Sequence, residues 1–583
     1  MIKVSDYIAD FVSKITDTVF VGQGGSIVHI LDSFKKKKLK IIPSQNEQCA
    51  TIAADAFSRV SKNKIGVSAV TSGPGALNTL QGIACSYYDS IPTLTITGQV
   101  VTNQLSKHKK IRQTGFQEMK VSEIVSSFTK YSILLKKKNK IKYELEKLVY
   151  YANEGRKGPV LIDIPDDIQR SYVNPKNLSS FQIPKKKQVK FNQKNLIDLI
   201  NKSNRPILIL GNGINLSNTK NEVYKFINET KIPFLLTWAT LDLFSHNHPQ
   251  MLGTFGVAAS RYGNFCIQNS DLIISLGSQL NNQLTGHNKK LFARDAKKIV
   301  VDIDKWEFLK KDYLKIDLKI NMDLKNFFDQ IFLKKIKRKF TKDWIIKNKT
   351  IQKLYPVVSE SFKKQRVKVN PYYFMKTLSE NSKSGDVLIP DASANLIWAY
   401  QSFLIEKKQK VFTALNHSPM GYSMPATIGA YMAKNKNSKN VICTIGDGSM
   451  AMNVQELATI KHFNLPIKIF VIDNEGYGLI KQTQDTWLNS RRVGVDPKSD
   501  LAIPDYIKIA KAYGLQTFKI RNNSEVKKII NKVLNSKKPV LCNVLVSNKQ
   551  IVSPKLLSGM SLENMSPMLS KEKLIYIKKY LRS

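Results

Sequence analysis

Apolar runs of strand length recur along this chain, separated by longer stretches with helical period. In the first third they fall at 41–43, 65–70 and 93–96, and a run at 158–165 closes the unit. A second set falls at 206–210, 234–236, 272–276 and 298–304. A third opens at 387–391, continues at 441–445 and 467–472, and ends at 539–546. Many of these runs end in glycine or a small polar residue. Strand, glycine turn and helix repeated in this way predict an α/β chain of three doubly wound domains with mostly parallel sheets. The expected boundaries are 1–175, 192–335 and 366–550, with a C-terminal tail at 551–583. A polar stretch near 171–191 reads as a linker, and a basic helical stretch at 336–366 joins the second and third domains.

Length agrees with this division, because 583 residues are too many for one core. No run of 18 apolar residues occurs and the first residues lead directly into a helical pattern, so neither a membrane span nor a signal peptide is expected and the cytoplasm is the expected compartment. The five cysteines, Cys49, Cys85, Cys266, Cys443 and Cys542, have no metal-binding spacing and read as free thiols. Net charge is +46. The excess is scattered lysine, about six for each arginine, in short runs without interleaved aromatics. That reads as a solvated lysine surface, with no nucleic-acid partner and no membrane partner expected.

The most informative chemistry lies in the third domain. The 441–445 run ends in Gly446-Asp447-Gly448-Ser449, and the next run ends in Asp473-Asn474-Glu475-Gly476. Glycines at a strand end let the backbone approach a diphosphate closely. Asp447 and Asn474 supply hard oxygens suited to Mg²⁺, at the carboxyl ends of strands where open sheets bind ligands. A Gly-Asp-Gly turn alone is common; the spacing to Asn474 and the flanking strands give it weight. Near the other end, 43–50 continues into 53–59 as a strand–helix turn bearing Glu47, whose plainer reading is a first-turn acid that complements the helix dipole.

Together these segments resemble the thiamine diphosphate (ThDP) enzymes, specifically the acetolactate synthase large-subunit type, from about Val4 to Leu569. The resemblance implies a metal site of Asp447, Asn474 and the Gly476 carbonyl, and a diphosphate cradle of Gly446, Gly448 and Ser449. It makes Glu47 the acid that activates the cofactor through its aminopyrimidine. Thr71–Asn78 resembles the pyrimidine-domain loop and contributes Pro74 and Asn78. Gln113–Glu118 resembles the segment bearing the catalytic pair Phe116 and Gln117. Gly22-Gln23-Gly24-Gly25 resembles the glycine loop over the reacting centre, with Gly24 at the cofactor and Gly25 catalytic. Met420 is assigned as the wedge that bends the cofactor, although a packed core methionine is its plainer reading. Tyr477 and Leu479 complete the cofactor set.

The implied activity is 2-oxo acid decarboxylation with carboligation, pyruvate being the acyl donor. Active sites are expected between subunits of a homodimer or homotetramer, with a regulatory small subunit left open, and Met560–Met568 is a candidate lid. Four departures bear on this reading. Asn46 stands where the family often carries His, which removes a proton shuttle. Gly22 stands where Tyr is frequent. Thr483 replaces a tryptophan that shapes the acceptor pocket, which should alter acceptor choice. In 277–286, Gln and Asn replace the charged residues that hold FAD, so FAD binding stays open. The alternatives are a carboligase with an unusual acceptor, such as a keto-sugar nucleotide in surface-polysaccharide synthesis, and a simple 2-oxo acid decarboxylase.

Overall fold

The computed structural model describes residues 1–583 other than 109, 186–188, 310–313, 338–341 and 434–439. Three six-stranded parallel sheets account for the apolar runs. The N-terminal sheet contains β1 (Thr18–Val21), β2 (Lys40–Pro43), β3 (Gly66–Val70), β4 (Thr93–Gln99), β5 (Tyr131–Leu134) and β6 (Val160–Pro165), in the order β2-β1-β3-β4-β6-β5. The middle sheet contains β7 (Pro206–Leu210), β8 (Phe234–Leu236), β9 (Met251–Thr254), β10 (Leu272–Leu276), β11 (Lys297–Asp302) and β12 (Leu318–Asn321), in the order β9-β8-β7-β10-β11-β12. The C-terminal sheet contains β13 (Val387–Pro390), β14 (Lys410–Val411), β15 (Val441–Gly446), β16 (Lys468–Asp473), β17 (Gln516–Ile520) and β18 (Val540–Leu545), in the order β14-β13-β15-β16-β18-β17.

The first and third sheets thus share one topology, and the middle sheet has the doubly wound order of dinucleotide-binding domains. Each has a point where successive connections leave in opposite directions, opening a crevice at the strand ends. That point lies between β1 and β3, between β7 and β10, and between β13 and β15. The central strands are buried along almost their whole length, as sheets covered on both faces require.

Two helices join the outer domains. Helix α1 (Glu47–Val60) and helix α2 (Ser423–Met432) share a core of small residues, including Ala50, Ala53, Ala54, Ala426 and Ala430. The contact is close: a Cβ at Gly429 would lie 1.9 Å from the Ala53 carbonyl oxygen. Beside it Arg59 is paired with Asp55 and Asp89 and donates to the Thr413 carbonyl, while Tyr422 donates to Asp55.

The tail does not hang free. Met560–Met568, expected as a candidate lid, lies against the middle domain. Leu562 and Met565 are buried, and Arg261 donates to the carbonyls of Met565 and Pro567. The last helix, α4 (Lys571–Arg582), buries Ile577 and Leu581 in the same core as Trp344 and Ile351. Met560, Leu562 and Leu569 of the tail pack in the same core. Among the described residues, no helix is long and apolar enough to cross a membrane. All five cysteines are free and buried.

Candidate active site

The crevice between β13 and β15 is lined by Ala392, Ser393, Met420, Gly446–Ser449, Asn474 and Gly476–Gly478. Asp447 is 1% exposed. Its Oδ1 accepts from the Gly448 N–H at 2.6 Å, and its Oδ2 accepts from Asn474 N–H at 3.1 Å and Gly476 N–H at 2.9 Å. Burial pushes its carboxyl up to about 7; the N–H groups of Gly476 and Gly448 and the Lys481 ammonium oppose that shift, and Asp473 adds to it. The Tyr506 hydroxyl donates to the Asp447 carbonyl.

The loop after β16 makes a tight turn, with Glu475 at φ 58° and Gly476 at φ 127°. A side chain at Gly476 would meet the Val495 carbonyl at 2.1 Å, so only glycine suits both the conformation and the space. The Tyr477 ring lies on Gly448, where a Cβ would be 2.1 Å from it. Met420 is set by Asp391, which accepts from the N–H groups of Gly421 and Ser423 and from the Ser423 hydroxyl.

This half-site fits Mg²⁺ and a diphosphate. Carboxylate, side-chain amide and backbone carbonyl are the hard oxygens such an ion takes. Among the described residues the buried Asn474 side-chain nitrogen has no hydrogen-bond partner, which suits a donor to a diphosphate oxygen, the amide oxygen being the atom a cation takes. Around Gly446 the nearest atom to an added Cβ is Ser449 Oγ at 4.0 Å, so the backbone there is open. Among the described residues, no group of three or more His, Cys, Asp and Glu side chains gathers as a metal cluster.

The second half-site lies at the β1/β3 crevice. Asn46 caps α1, its side chain accepting from Gln48 N–H at 2.8 Å, and this local bond places Glu47 in the first turn. Glu47 Oε2 accepts from Asn78 Nδ2 at 3.0 Å. Glycine is needed on two sides of it: a Cβ at Gly22 would lie 2.3 Å from Glu47 Cγ, and one at Gly75 would lie 3.1 Å from Oε1. A side chain at Gly22 would thus displace that of Glu47. Gly24 packs on Thr71, and an added Cβ at Gly25 meets nothing within 4 Å. Gly73, at φ 56°, packs on Gln117, itself at φ 63°. Phe116 is 85% exposed, and Pro74 and Asn78 are exposed too.

Within one chain the two half-sites stay separate, the Asp447 crevice being lined by C-terminal-domain residues alone. Behind them the two domains are tied, besides the α1/α2 contact, where Gln45 N–H donates to Glu456 Oε1 at 2.7 Å and the Cys49 thiol donates to Asn453 at 3.3 Å.

A cleft of about 1940 Å³ opens where all three domains meet, over the ends of β7, β10 and β11. Its walls include Leu479, Ser393, Gln279, Asn281, Asn282 and Gln283. Gln279 donates to Glu307 and Asn281 to Asn416. The buried Tyr400 hydroxyl and Trp238 indole N–H, on two more of its wall residues, have no hydrogen-bond partner among the described residues. Thr483 is exposed on helix α3 (Gly478–Trp487), with its hydroxyl bonded to the Leu479 carbonyl of its own helix.

The sequence reading missed Asp391, Tyr506, Glu456 and Lys481. An acid closing the predicted 387–391 strand was the available signal for Asp391. The other three lie in helices whose ordinary pattern gave none.

Three family models match in chain order. They describe the thiamine pyrophosphate enzyme N-terminal TPP binding domain over residues 2–124, its central domain over 194–331, and its C-terminal TPP binding domain over 391–544. The chain is 29% identical over 559 residues to the acetolactate synthase large subunit of Lactococcus lactis, covering 94% of this chain and 93% of that one. It is 30% identical over 565 residues to a probable acetolactate synthase large subunit of Methanococcus aeolicus, covering 92% and 90%. It is 30% identical over 574 residues to the chloroplastic acetolactate synthase 2 of Nicotiana tabacum, covering 96% and 84%.

Proposed function

The chain belongs to the thiamine pyrophosphate (ThDP) enzyme family, on its acetolactate synthase branch, and from that premise we propose that it joins the acyl unit of a 2-oxo acid, pyruvate first, to a second carbonyl compound. It is a ThDP-dependent enzyme. When bound, ThDP supplies the nucleophilic carbon and the electron sink for loss of carbon dioxide. The observation that carries the reading is the placing of Glu47 and the Asp447–Asn474–Gly476 loop at equivalent crevices of two sheets with the same topology.

Asp447, the Asn474 amide and the Gly476 carbonyl would hold Mg²⁺, and the open backbone at Gly446 would hold the diphosphate. Glu47 is the acid–base group. Asn78 engages its Oε2, while Oε1 accepts no hydrogen bond among the described residues, so that oxygen is left to share a proton with the aminopyrimidine. Gly25 and Gln117 border the reacting centre, and Phe116 narrows it. Each half-site lacks the other within one chain, so the complete site is assembled by two copies, Glu47 from one and Asp447 from the other.

Two finer points rest on single features. Thr483 is exposed, its hydroxyl turns back on its own helix, and it is a smaller side chain than the tryptophan expected there from the resemblance. This favours, as a second reading, a bulkier ketone acceptor such as a keto-sugar nucleotide. The large cleft lies at the switch point of a dinucleotide-type sheet and has the volume for FAD, but its Gln279–Gln283 wall offers neutral amides to a charged nucleotide.

Purified protein with ThDP, Mg²⁺ and pyruvate, with and without FAD, tests these readings together, with products identified by mass spectrometry. Acetolactate is expected. Efficient acetolactate formation with bulky ketones ignored removes the second reading, and retention of the yellow flavin on gel filtration decides FAD. Glu47→Gln should lower turnover by about 10²–10⁴-fold while ThDP still binds with Mg²⁺; full activity in that variant would remove Glu47 from its role.

A further inference from the structure

One charged side chain at the site has no part in the chemistry above. Lys481 is 3% exposed and is the buried residue of helix α3, which follows the metal-binding loop. Its Nζ donates to the Asn474 carbonyl at 3.2 Å and the Glu475 carbonyl at 3.3 Å. A buried ammonium is costly unless its three N–H groups find acceptors, and a methionine would fill the same space without that cost. Here two acceptors are consecutive carbonyls of the loop that carries the proposed metal ligands.

That loop needs holding. Glu475 is in the left-handed region at φ 58°, which is unfavourable for a residue with a side chain, and it persists only where surroundings over-determine it. From the outer side, Lys368 pairs with the Glu475 carboxylate at 2.9 Å and Asn548 donates to it at 3.2 Å. From the inner side, the only side chain holding both carbonyls, among the described residues, is Lys481. With the Glu475 carbonyl turned to Lys481, the Gly476 N–H of the same peptide faces the Asp447 carboxylate, which also accepts from the Asn474 N–H.

We propose that Lys481 is a positioning residue for the metal-binding loop: its ammonium holds the carbonyls of Asn474 and Glu475 and so fixes the turn that brings the Asn474 amide and the Gly476 carbonyl to the cation beside Asp447. The inference rests on the reading that these residues hold a divalent cation. A positive charge near a dication also repels it, so Lys481 could act with either sign. The geometry points to the loop effect as the larger, because the charge is shared with two carbonyl dipoles and faces the carboxylates of Asp447 and Asp496.

The test is a Mg²⁺ titration of ThDP binding, followed by tryptophan fluorescence, for wild type, Lys481→Met and Lys481→Gln. Lys481→Met should raise the half-saturating Mg²⁺ concentration at least tenfold. Lys481→Gln, which keeps a donor for one carbonyl, should fall between it and wild type; it carries the test alone if the Met variant does not fold. Unchanged Mg²⁺ half-saturation with a lowered Tm of the metal-free protein would mean a structural role and overturn the proposal. Tighter Mg²⁺ binding would overturn it too, because charge repulsion would then dominate. If wild type shows no Mg²⁺-dependent ThDP binding, the metal site itself fails, a different outcome from a wild type that binds and variants that match it.

Discussion

Asp447 and Asp163 are both buried carboxylic acids pushed up to about 7, yet they have different surroundings. Asp447 faces an open crevice and is ringed by backbone N–H groups. Asp163 lies inside the N-terminal sheet, where burial raises its value and the Thr97 hydroxyl at 2.7 Å and the Gln99 amide at 2.8 Å oppose it. Its folded value lies above the unfolded value of about 3.9, so between those values the folded chain holds the extra proton. Its contribution to stability therefore falls as pH rises from about 4 through about 7, and is flat above. Asp163→Asn stays neutral throughout. Its Tm relative to wild type should shift in the variant's favour between pH 5 and pH 8, beneath any constant loss from the altered Gln99 contact. Parallel Tm curves in a thermal-shift series would rule out ionisation of Asp163 over that interval.

At the scale of elements, α1 decides where Glu47 stands, and it is fixed by backbone contacts on two sides. Gly429 of α2 approaches the Ala53 carbonyl and Gly66 of β3 the Ala54 carbonyl, each leaving 1.9 Å for an added Cβ. Backbone oxygen cannot swing aside as a side-chain tip can, so one methyl group forces the helices apart. Gly429→Ala should cost about 1–3 kcal/mol, as overpacking of a close contact does. It should also weaken ThDP activation, because α1 carries Glu47 with it. A variant with unchanged urea midpoint would mean that the two helices have slack the contact does not show. The Arg59 pairs near this contact are a poorer guide to stability, since burying charges offsets much of what their attraction returns.

On the scale of the whole molecule, exposed apolar groups mark both half-sites. Leu77 and Phe116 are exposed beside Asn78 and Gln117 in sequence, and Met452 and Ile480 are exposed on the segments that follow the Asp447 and Asn474 turns. If two copies share each site, mixing Glu47→Gln with Asp447→Asn restores activity. In a mixed dimer one site has both defects and the other has neither. Random mixing should then recover about a quarter of wild-type turnover from two inactive parents. Co-expression followed by a pyruvate-consumption assay measures it, and a mixture as inactive as its parents would place Glu47 and Asp447 in one chain's site.

Some of this was written in the chain's local order. Parallel strands buried on both faces are continuous apolar runs, so three α/β domains could be read from 206–210 or 441–445 without any contact known. Gly446, Asp447 and Asn474 were legible too, because a ligand at strand ends is held by residues that follow the strands directly. Lys481, Tyr506 and Glu456 were not, since each meets the site across a fold: an ammonium on the next helix, a hydroxyl 59 residues after Asp447, and a carboxylate capping a turn 411 residues away. The resemblance alone made 560–568 a candidate lid, and its seat, with Leu562 in the middle domain's apolar core and the Asn264 amide on Met565 Sδ, follows from contacts far apart in sequence. Sequence determined which elements form and which chemistry their ends carry, because both depend on neighbours along the chain. Tertiary structure decided what holds that chemistry in place and that Glu47 and Asp447 lie in separate crevices, because those depend on packing between domains that no local pattern encodes.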